Sequence, residues 1–321
     1  MIKVKTHGKL YIAGEYQVLN TSGNAIIYGM DRYIHIMIEA SDKYLYKSRN
    51  KNYYFIFENK SFNFSNNNKI VNQAIIVAFK YLKANNIAIK TFKINIKSEL
   101  ESNKGLKYGF GSSSAIISGM IKAILLFHDV EVDNLLIYKL SVIAQIKAKA
   151  ITSGGDLAAA IHGGYIYYER YNLEFVLNNI ENKDLLNIDW PGLKIEKMHV
   201  RNINIMAVWS KKVYRTKPLE NVITKKDYKY ANRLVKTLKV GLEGNKFKLI
   251  NKAIAAYDQW LVRILKGTNR YIDEFNIIND VAKKHQLSSK LSGAGGGDSA
   301  IILYNNENEN SLLENFKKLN Y

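Results

Sequence analysis

Lys107-Tyr-Gly-Phe-Gly-Ser-Ser-Ser-Ala115 sets two glycines and three serines directly before an amphipathic run. Ile117, Met120, Ile121, Ile124 and Leu125 recur at three- and four-residue spacing, which predicts a helix over 114–127 with one apolar face. Any of Ser112, Ser113 and Ser114 is suited to cap that helix, because a hydroxyl oxygen accepts from the orphan amides of a first turn. Gly109 and Gly111 open the backbone to dihedrals that side chains forbid, and they let a ligand come close to the chain. A helix start with free N–H groups and a partial positive charge attracts anions, and Lys107 adds a full charge beside it. The stretch reads as a phosphate cradle, with a plain loop-to-cap junction as the alternative. It is not a P-loop, which ends in Gly-Lys-Ser/Thr. Nor is it a dinucleotide fingerprint, since Ser114 stands where the third glycine belongs.

Two further segments share this character. Val4-Lys-Thr-His-Gly-Lys-Leu-Tyr-Ile-Ala-Gly-Glu-Tyr16 predicts a short strand, a glycine, Lys9 and then an apolar strand. Lys290-Leu-Ser-Gly-Ala-Gly-Gly-Gly-Asp298 leads into the apolar run Ser299-Ala-Ile-Ile-Leu-Tyr304. So much glycine between structured flanks is entropically costly, and such a loop is expected where a ligand presses on the backbone.

In this order the three segments resemble the motifs of the GHMP kinases, small-molecule kinases of galactose, homoserine, mevalonate and phosphomevalonate. Gly8-Lys-Leu-Tyr-Ile-Ala-Gly-Glu15 is similar to their first motif, Gly109-Phe-Gly-Ser-Ser-Ser-Ala115 to their second and Ser292-Gly-Ala-Gly-Gly-Gly-Asp298 to their third. Lys9-Leu-Tyr-Ile-Ala-Gly-Glu-Tyr16, Lys107-Tyr-Gly109, Gly154-Gly-Asp-Leu-Ala-Ala159 and Asp189-Trp-Pro-Gly-Leu193 look most like the bacterial phosphomevalonate kinases within that superfamily. The likeness runs from Lys3 to about Leu303. It departs at His7, where the family often has Pro, and at Val208-Trp-Ser-Lys-Lys-Val-Tyr-Arg-Thr-Lys217, which is bulkier and more basic than the family's small-residue run.

The resemblance implies ATP and Mg²⁺ as cofactors. Lys107, Gly109, Gly111, Ser112, Ser113 and Ser114 would hold the nucleotide phosphates, with the Ser113 hydroxyl also toward the metal. Lys9 and Asp156 would be catalytic, Lys9 near the transferred γ-phosphoryl group. Ser153, Ser210, Thr216, Gly293, Gly295 and Gly296 would face the substrate, and the basic residues Lys211, Lys212, Arg215 and Lys217 would suit a phosphorylated one. For an alcohol acceptor the matching aspartate is read as a general base. A phosphomonoester is already mostly dianionic at pH 7, its second pKa being about 6, and Asp156 would then orient Lys9 or the metal. From the residues alone, the plain alternative for Asp156 is a carboxylate capping a helix. The implied reaction is ATP-dependent phosphorylation of 5-phosphomevalonate to the diphosphate. A mevalonate-type kinase and a non-catalytic binding protein remain as alternatives.

Composition narrows the class. The chain has 321 residues, 47% of them hydrophobic, and no cysteine. That excludes disulfides and thiolate metal sites. No apolar run approaches the roughly 20 residues of a membrane span, and Met1-Ile-Lys-Val-Lys5 shows no signal-peptide core; a cytoplasmic protein with no membrane partner and no obligate protein partner is expected. The net charge of +19 is scattered and carried mostly by Lys. It argues for steering small anions rather than for binding nucleic acid. His7, His35, His128, His162, His199 and His285 lie far apart without metal-site spacing.

Alternating or apolar runs predict strands at 3–6, 10–13, 33–40, 43–46, 53–57, 91–98, 163–168, 204–209 and 300–304. Helices are expected at 71–85, 114–127, 132–148, 155–162, 223–241, 246–266 and 271–285, and the Asn- and Ser-rich 59–68 as a surface loop. The resemblance implies an α+β fold. A two-layer α/β domain over residues 1–190 would precede a ferredoxin-like domain over 191–321, with the boundary within Leu185–Val200 and the ligands in the cleft between.

Overall fold

The computed structural model describes residues 1–20, 23–49, 51–59, 61–102, 106–209, 223–265, 273–293, 299–306 and 309–318. Ser210, Thr216, Gly295, Gly296 and the basic residues of 211–217 lie outside them.

The sheet is organised by β2 (Asn24–Ala40), whose second half alternates: Ile34, Ile36 and Ile38 are fully buried while the residues between them face outward. β2 pairs antiparallel with β1 (Ile2–Ala13). It also pairs with β6 (Phe92–Ser98) through Ile34–Ala40 and with β7 (Gly164–Glu169) through Asn24–Gly29. β3 (Leu45–Ser48) joins β6 in parallel, and β4 (Lys51–Glu58), β5 (Ser61–Phe64) and β8 (Lys194–Lys197) complete an eight-stranded mixed sheet. The first segment is thus one strand rather than two, with a register shift between His7 and Gly8. Gly8 makes no turn. It allows a close approach, since a Cβ there would meet the Leu100 side chain at 2.7 Å.

β5 overturns the expected 59–68 loop. Phe62 and Phe64 alternate within that polar stretch and pack on Phe55, Phe57 and Phe79, enough to hold a short edge strand on β4.

Helices α1 (Lys69–Ala84), α2 (Ser112–Phe127), α3 (Asn134–Lys147) and α4 (Gly155–His162) form the second layer. α2 and α4 lie against β1 and β2, and α1 and α3 pack on them. Asn68 caps α1 and Asp133 caps α3, each accepting from the amide three residues on. α5 (Leu173–Asn178) follows β7.

The sheets change between Lys197 and Asn204, just past the 190/191 division. β9 (Asn204–Trp209), β10 (Ser289–Leu291) and β11 (Ser299–Tyr304) pair antiparallel in the order β10-β11-β9. α6 (Lys225–Glu243) starts with a capping box between Thr224 and Asp227 and packs on α7 (Phe247–Ile264) and on β2. α8 (Asp273–Lys284) covers β10, and α9 (Glu309–Lys318) packs on α8. The architecture is α+β. Among the described residues the smaller sheet has three strands, where a ferredoxin-like sheet has four. No helix among them is long and apolar enough to cross a membrane.

Candidate active site

Backbone bonding joins the first two segments. The Lys9 amide donates to the Phe110 carbonyl at 2.9 Å, which brings β1 to the turn before α2. The N-cap of α2 is Gly111, in the left-handed region at φ +74°, with no side-chain cap. This corrects the expectation that a serine caps the helix: Ser112, Ser113 and Ser114 all lie inside its first turn. The first amides of a helix lack intrahelical acceptors, and here no side chain satisfies them by capping. A Cβ on Gly111 would lie 2.7 Å from Lys9 Cγ and 3.4 Å from Asp156 Oδ2, so the position needs glycine for its fit as well as its φ.

α4 repeats the device. Its N-cap is Gly154 at φ +86°, again with no side-chain cap. Asp156 therefore sits in the first turn and is not the capping carboxylate, the second correction. Its Oδ2 lies 3.6 Å from Lys9 Nζ, both side chains largely closed to solvent. Lys9 Nζ also stands 5.3 Å from the centre of the Tyr11 ring, within cation–π reach.

These groups wall one cavity of about 360 Å³. Lys9, Lys107, Gly109, Gly111, Ser112, Ser113, Ser114 and Asp156 all line it, together with Ile70, Gln145 and Thr152. Two lysines face one carboxylate beside the uncapped N-terminus of α2, so the cavity favours an anion.

The third segment reaches the same place. Gly293, at φ +85°, would carry a Cβ 3.6 Å from Lys9 Nζ. It is held by a buried ion pair sequence reading missed: Lys290 Nζ donates to Glu15 Oε1 at 2.5 Å and to the Leu291 carbonyl at 2.7 Å, and the Gly293 amide donates to the same Oε1 at 3.2 Å. The Ser292 hydroxyl donates to the Tyr11 carbonyl at 3.1 Å. Burial pushes the Glu15 carboxyl up from its ordinary value, with Lys290 opposing. A charged residue in each of two separate glycine segments was the available signal for the pair.

Ser153 directly precedes the N-cap of α4 and is not part of the cavity wall. Its Oγ shares a hydrogen bond with the Tyr11 hydroxyl (3.1 Å) and accepts from the Gly155 amide (3.3 Å), and its carbonyl accepts from the Tyr168 hydroxyl at 2.6 Å. Burial first, and the Asp156 charge next, raise the Tyr11 hydroxyl well above its ordinary value and keep it protonated. Gln145 and Thr152 also went unread. A glutamine inside the apolar run Val142-Ile-Ala-Gln-Ile146 was their only trace.

Residues 69–164, which hold α1, the glycine-serine turn and α4, match the GHMP kinases N terminal domain. The chain carries the N-terminal domain of the GHMP kinases. It is 23% identical to the phosphomevalonate kinase of Streptomyces sp. (strain CL190) over 94% of its own length and 89% of that protein. It is 27% identical to the mevalonate kinase of Methanocaldococcus jannaschii over 73% of this chain and 68% of that one. Its structure superimposes on Streptococcus pneumoniae phosphomevalonate kinase in complex with phosphomevalonate and AMPPNP with a TM-score of 0.88, at 25% identity, covering 99% of this chain and 97% of the other. GHMP kinases are phosphotransferases; this chain shares their fold, and its first two glycine segments line one cavity, with Gly293 of the third beside Lys9.

Proposed function

We propose that this GHMP kinase transfers the γ-phosphoryl group of ATP to 5-phosphomevalonate, giving the diphosphate used in isoprenoid precursor synthesis. One observation carries the reading: the uncapped N-terminus of α2 and the Lys9–Asp156 pair face each other in one anion-favouring cavity. The similarity over nearly the whole chain to phosphomevalonate kinases supports the acceptor.

Phosphoryl transfer needs positioning and charge neutralisation more than covalent chemistry. The amides of Gly111–Ser113 and Lys107 hold the β- and γ-phosphates. A phosphate oxygen of the acceptor attacks the γ-phosphorus, the bond from that phosphorus to the β,γ-bridging oxygen breaks, and ADP leaves with the electron pair. The attacking group is a dianion, so no proton has to be removed. Lys9 neutralises charge that builds on the transferred group, and Asp156 holds Lys9 in line. Among the described residues no cluster of three His, Cys, Asp or Glu forms a protein-only metal cage. Mg²⁺ does not require one, since it commonly binds one or two carboxylates plus substrate phosphates and water. Asp156 with the Ser113 hydroxyl fits that donor set, and Mg²⁺ held there would offset phosphate charge.

The test is coupled ADP release from the purified protein with phosphomevalonate, mevalonate, homoserine and galactose in turn. Phosphomevalonate is expected to exceed mevalonate in kcat/KM by at least about a hundredfold, a modest share of the discrimination available when a site built for a polar group is left unpaired. Equal or better use of mevalonate would replace this acceptor with an alcohol, the reaction named for the Methanocaldococcus relative.

A further inference from the structure

We infer that Gln145 and Thr152 form a positioning relay that ties the start of α4 to the start of α2, so that the two walls of the cavity act as one unit. The proposed kinase reading enters only in naming what lies at each wall, nucleotide phosphates at α2 and the acceptor at α4.

Gln145 is 4% exposed on α3, the helix behind both walls. Its Nε2 donates to Ser114 Oγ at 3.1 Å, and its Oε1 accepts from Thr152 Oγ1 at 3.0 Å. Thr152 Oγ1 in turn accepts the Gly154 amide at 3.2 Å, at the N-cap of α4. The chain of bonds therefore runs from the first turn of α2, through α3, to the residue that starts α4. A buried amide left unsatisfied is costly, which gives this side chain reason to keep both partners.

The direction of the bonds has a consequence. Thr152 spends its proton on Gln145, so its oxygen is available to the Gly154 amide. Ser114 accepts a hydrogen bond from Gln145, so its own O–H is free to donate to an acceptor in the cavity it lines. An anion accepting that hydrogen bond polarises the chain and strengthens each bond along it. Filling of the α2 side thereby orders Gly154–Asp156, and with them the carboxylate that faces Lys9. Gln145 touches no reacting atom in this scheme. It is a positioning residue.

Amide hydrogen exchange of the full chain tests this, with and without a non-hydrolysable ATP analogue, on wild type, Gln145→Met, Thr152→Val and the double variant. Without ligand, either single change should speed exchange at Gly154 about tenfold, the equivalent of one hydrogen bond, and the double should add nothing. With the analogue at saturating concentration for each protein, wild type gains protection over Gly154–Asp156, and Gln145→Met loses that linked protection. In turnover the same variant should release more ADP than it phosphorylates acceptor, a ratio that a loss of stability alone does not move. Additive effects in the double variant, or linked protection that survives Gln145→Met, would overturn the relay. A wild type that ignores the analogue would overturn the kinase reading instead, while exchange at Gly154 without ligand would still decide the relay.

Discussion

Lys290 Nζ and Glu15 Oε1 meet at 2.5 Å with both side chains closed to solvent, the lysine completely. The pair joins β10 of the smaller sheet to the end of β1. Glu15 is held from a third side too, because its carbonyl accepts from the Tyr257 hydroxyl of α7 at 2.9 Å. Gly293 is placed beside Lys9 by this joint.

Removing one partner of a buried pair strands the other charge. Lys290→Met should therefore lower the unfolding free energy by about 3–5 kcal/mol, measured in urea. The combined change Glu15→Leu with Lys290→Met should cost less than Lys290→Met alone, since replacing both charges with apolar groups is often nearly neutral. A single variant within about 1 kcal/mol of wild type would mean the pair is not held dry in solution.

Gly111→Val should abolish binding of an ATP analogue in a calorimetric titration. A side chain there is strained at φ +74°, and its Cβ meets Lys9 Cγ at 2.7 Å. Unchanged affinity would make the turn before α2 a plain helix start.

Lys9→Ala should cut kcat at least about a hundredfold, near 2.7 kcal/mol of lost transition-state stabilisation, with the thermal midpoint nearly kept because the side chain rests at the cavity wall. Turnover close to wild type in the folded variant would take Lys9 out of the mechanism.

The N-terminal layer was legible because its signals are local: the strand alternation of Ile34, Ile36 and Ile38, the helical spacing after Ala115 and the glycines that start α2 and α4. Several contributions were not, for a shared physical reason. β5 depends on Phe62 and Phe64 finding partners on β4 and α1, and Phe79 lies 17 residues from Phe62 in the chain. The Glu15–Lys290 joint spans 275 residues and Gln145–Ser114 spans 31. Such pairings arise only from packing. The serine-cap error has a local cause, since glycine in the left-handed region can start a helix and leave the neighbouring hydroxyls inside its first turn.

His128 gives a pH prediction. Its Nε2 accepts the Lys90 amide at 3.0 Å and its Nδ1–H donates to the Ile124 carbonyl at 2.7 Å, a pattern only the neutral ring can make. Burial lowers its pKa below the ordinary 6.5, as it does for His7 and His162. The unfolded chain therefore binds more protons, so this contribution is complete above about pH 6.5 and is lost as pH falls below it. Urea unfolding from pH 7.5 to 5.5 should show falling stability, with a shallower slope in His128→Gln. An identical slope in the variant would assign the acid sensitivity elsewhere.

Asp156→Asn separates the two acceptor chemistries. It keeps the side-chain shape beside Lys9 and removes the charge that stands 3.6 Å from the ammonium. If the acceptor is a phosphate dianion, Asp156 orients Lys9 or the metal and takes no proton. The variant should then lose kcat by a factor that stays nearly constant from pH 6.5 to 8.5. Both proteins would share any decline near pH 6, because that decline belongs to the substrate, whose second pKa is about 6. An alcohol acceptor needs its proton taken in the transition state, so wild type would then show an acidic limb of its own that the variant lacks. Measuring kcat for both proteins across this range with each acceptor reads the difference directly. A limb that disappears in Asp156→Asn would make Asp156 a general base and favour mevalonate over phosphomevalonate.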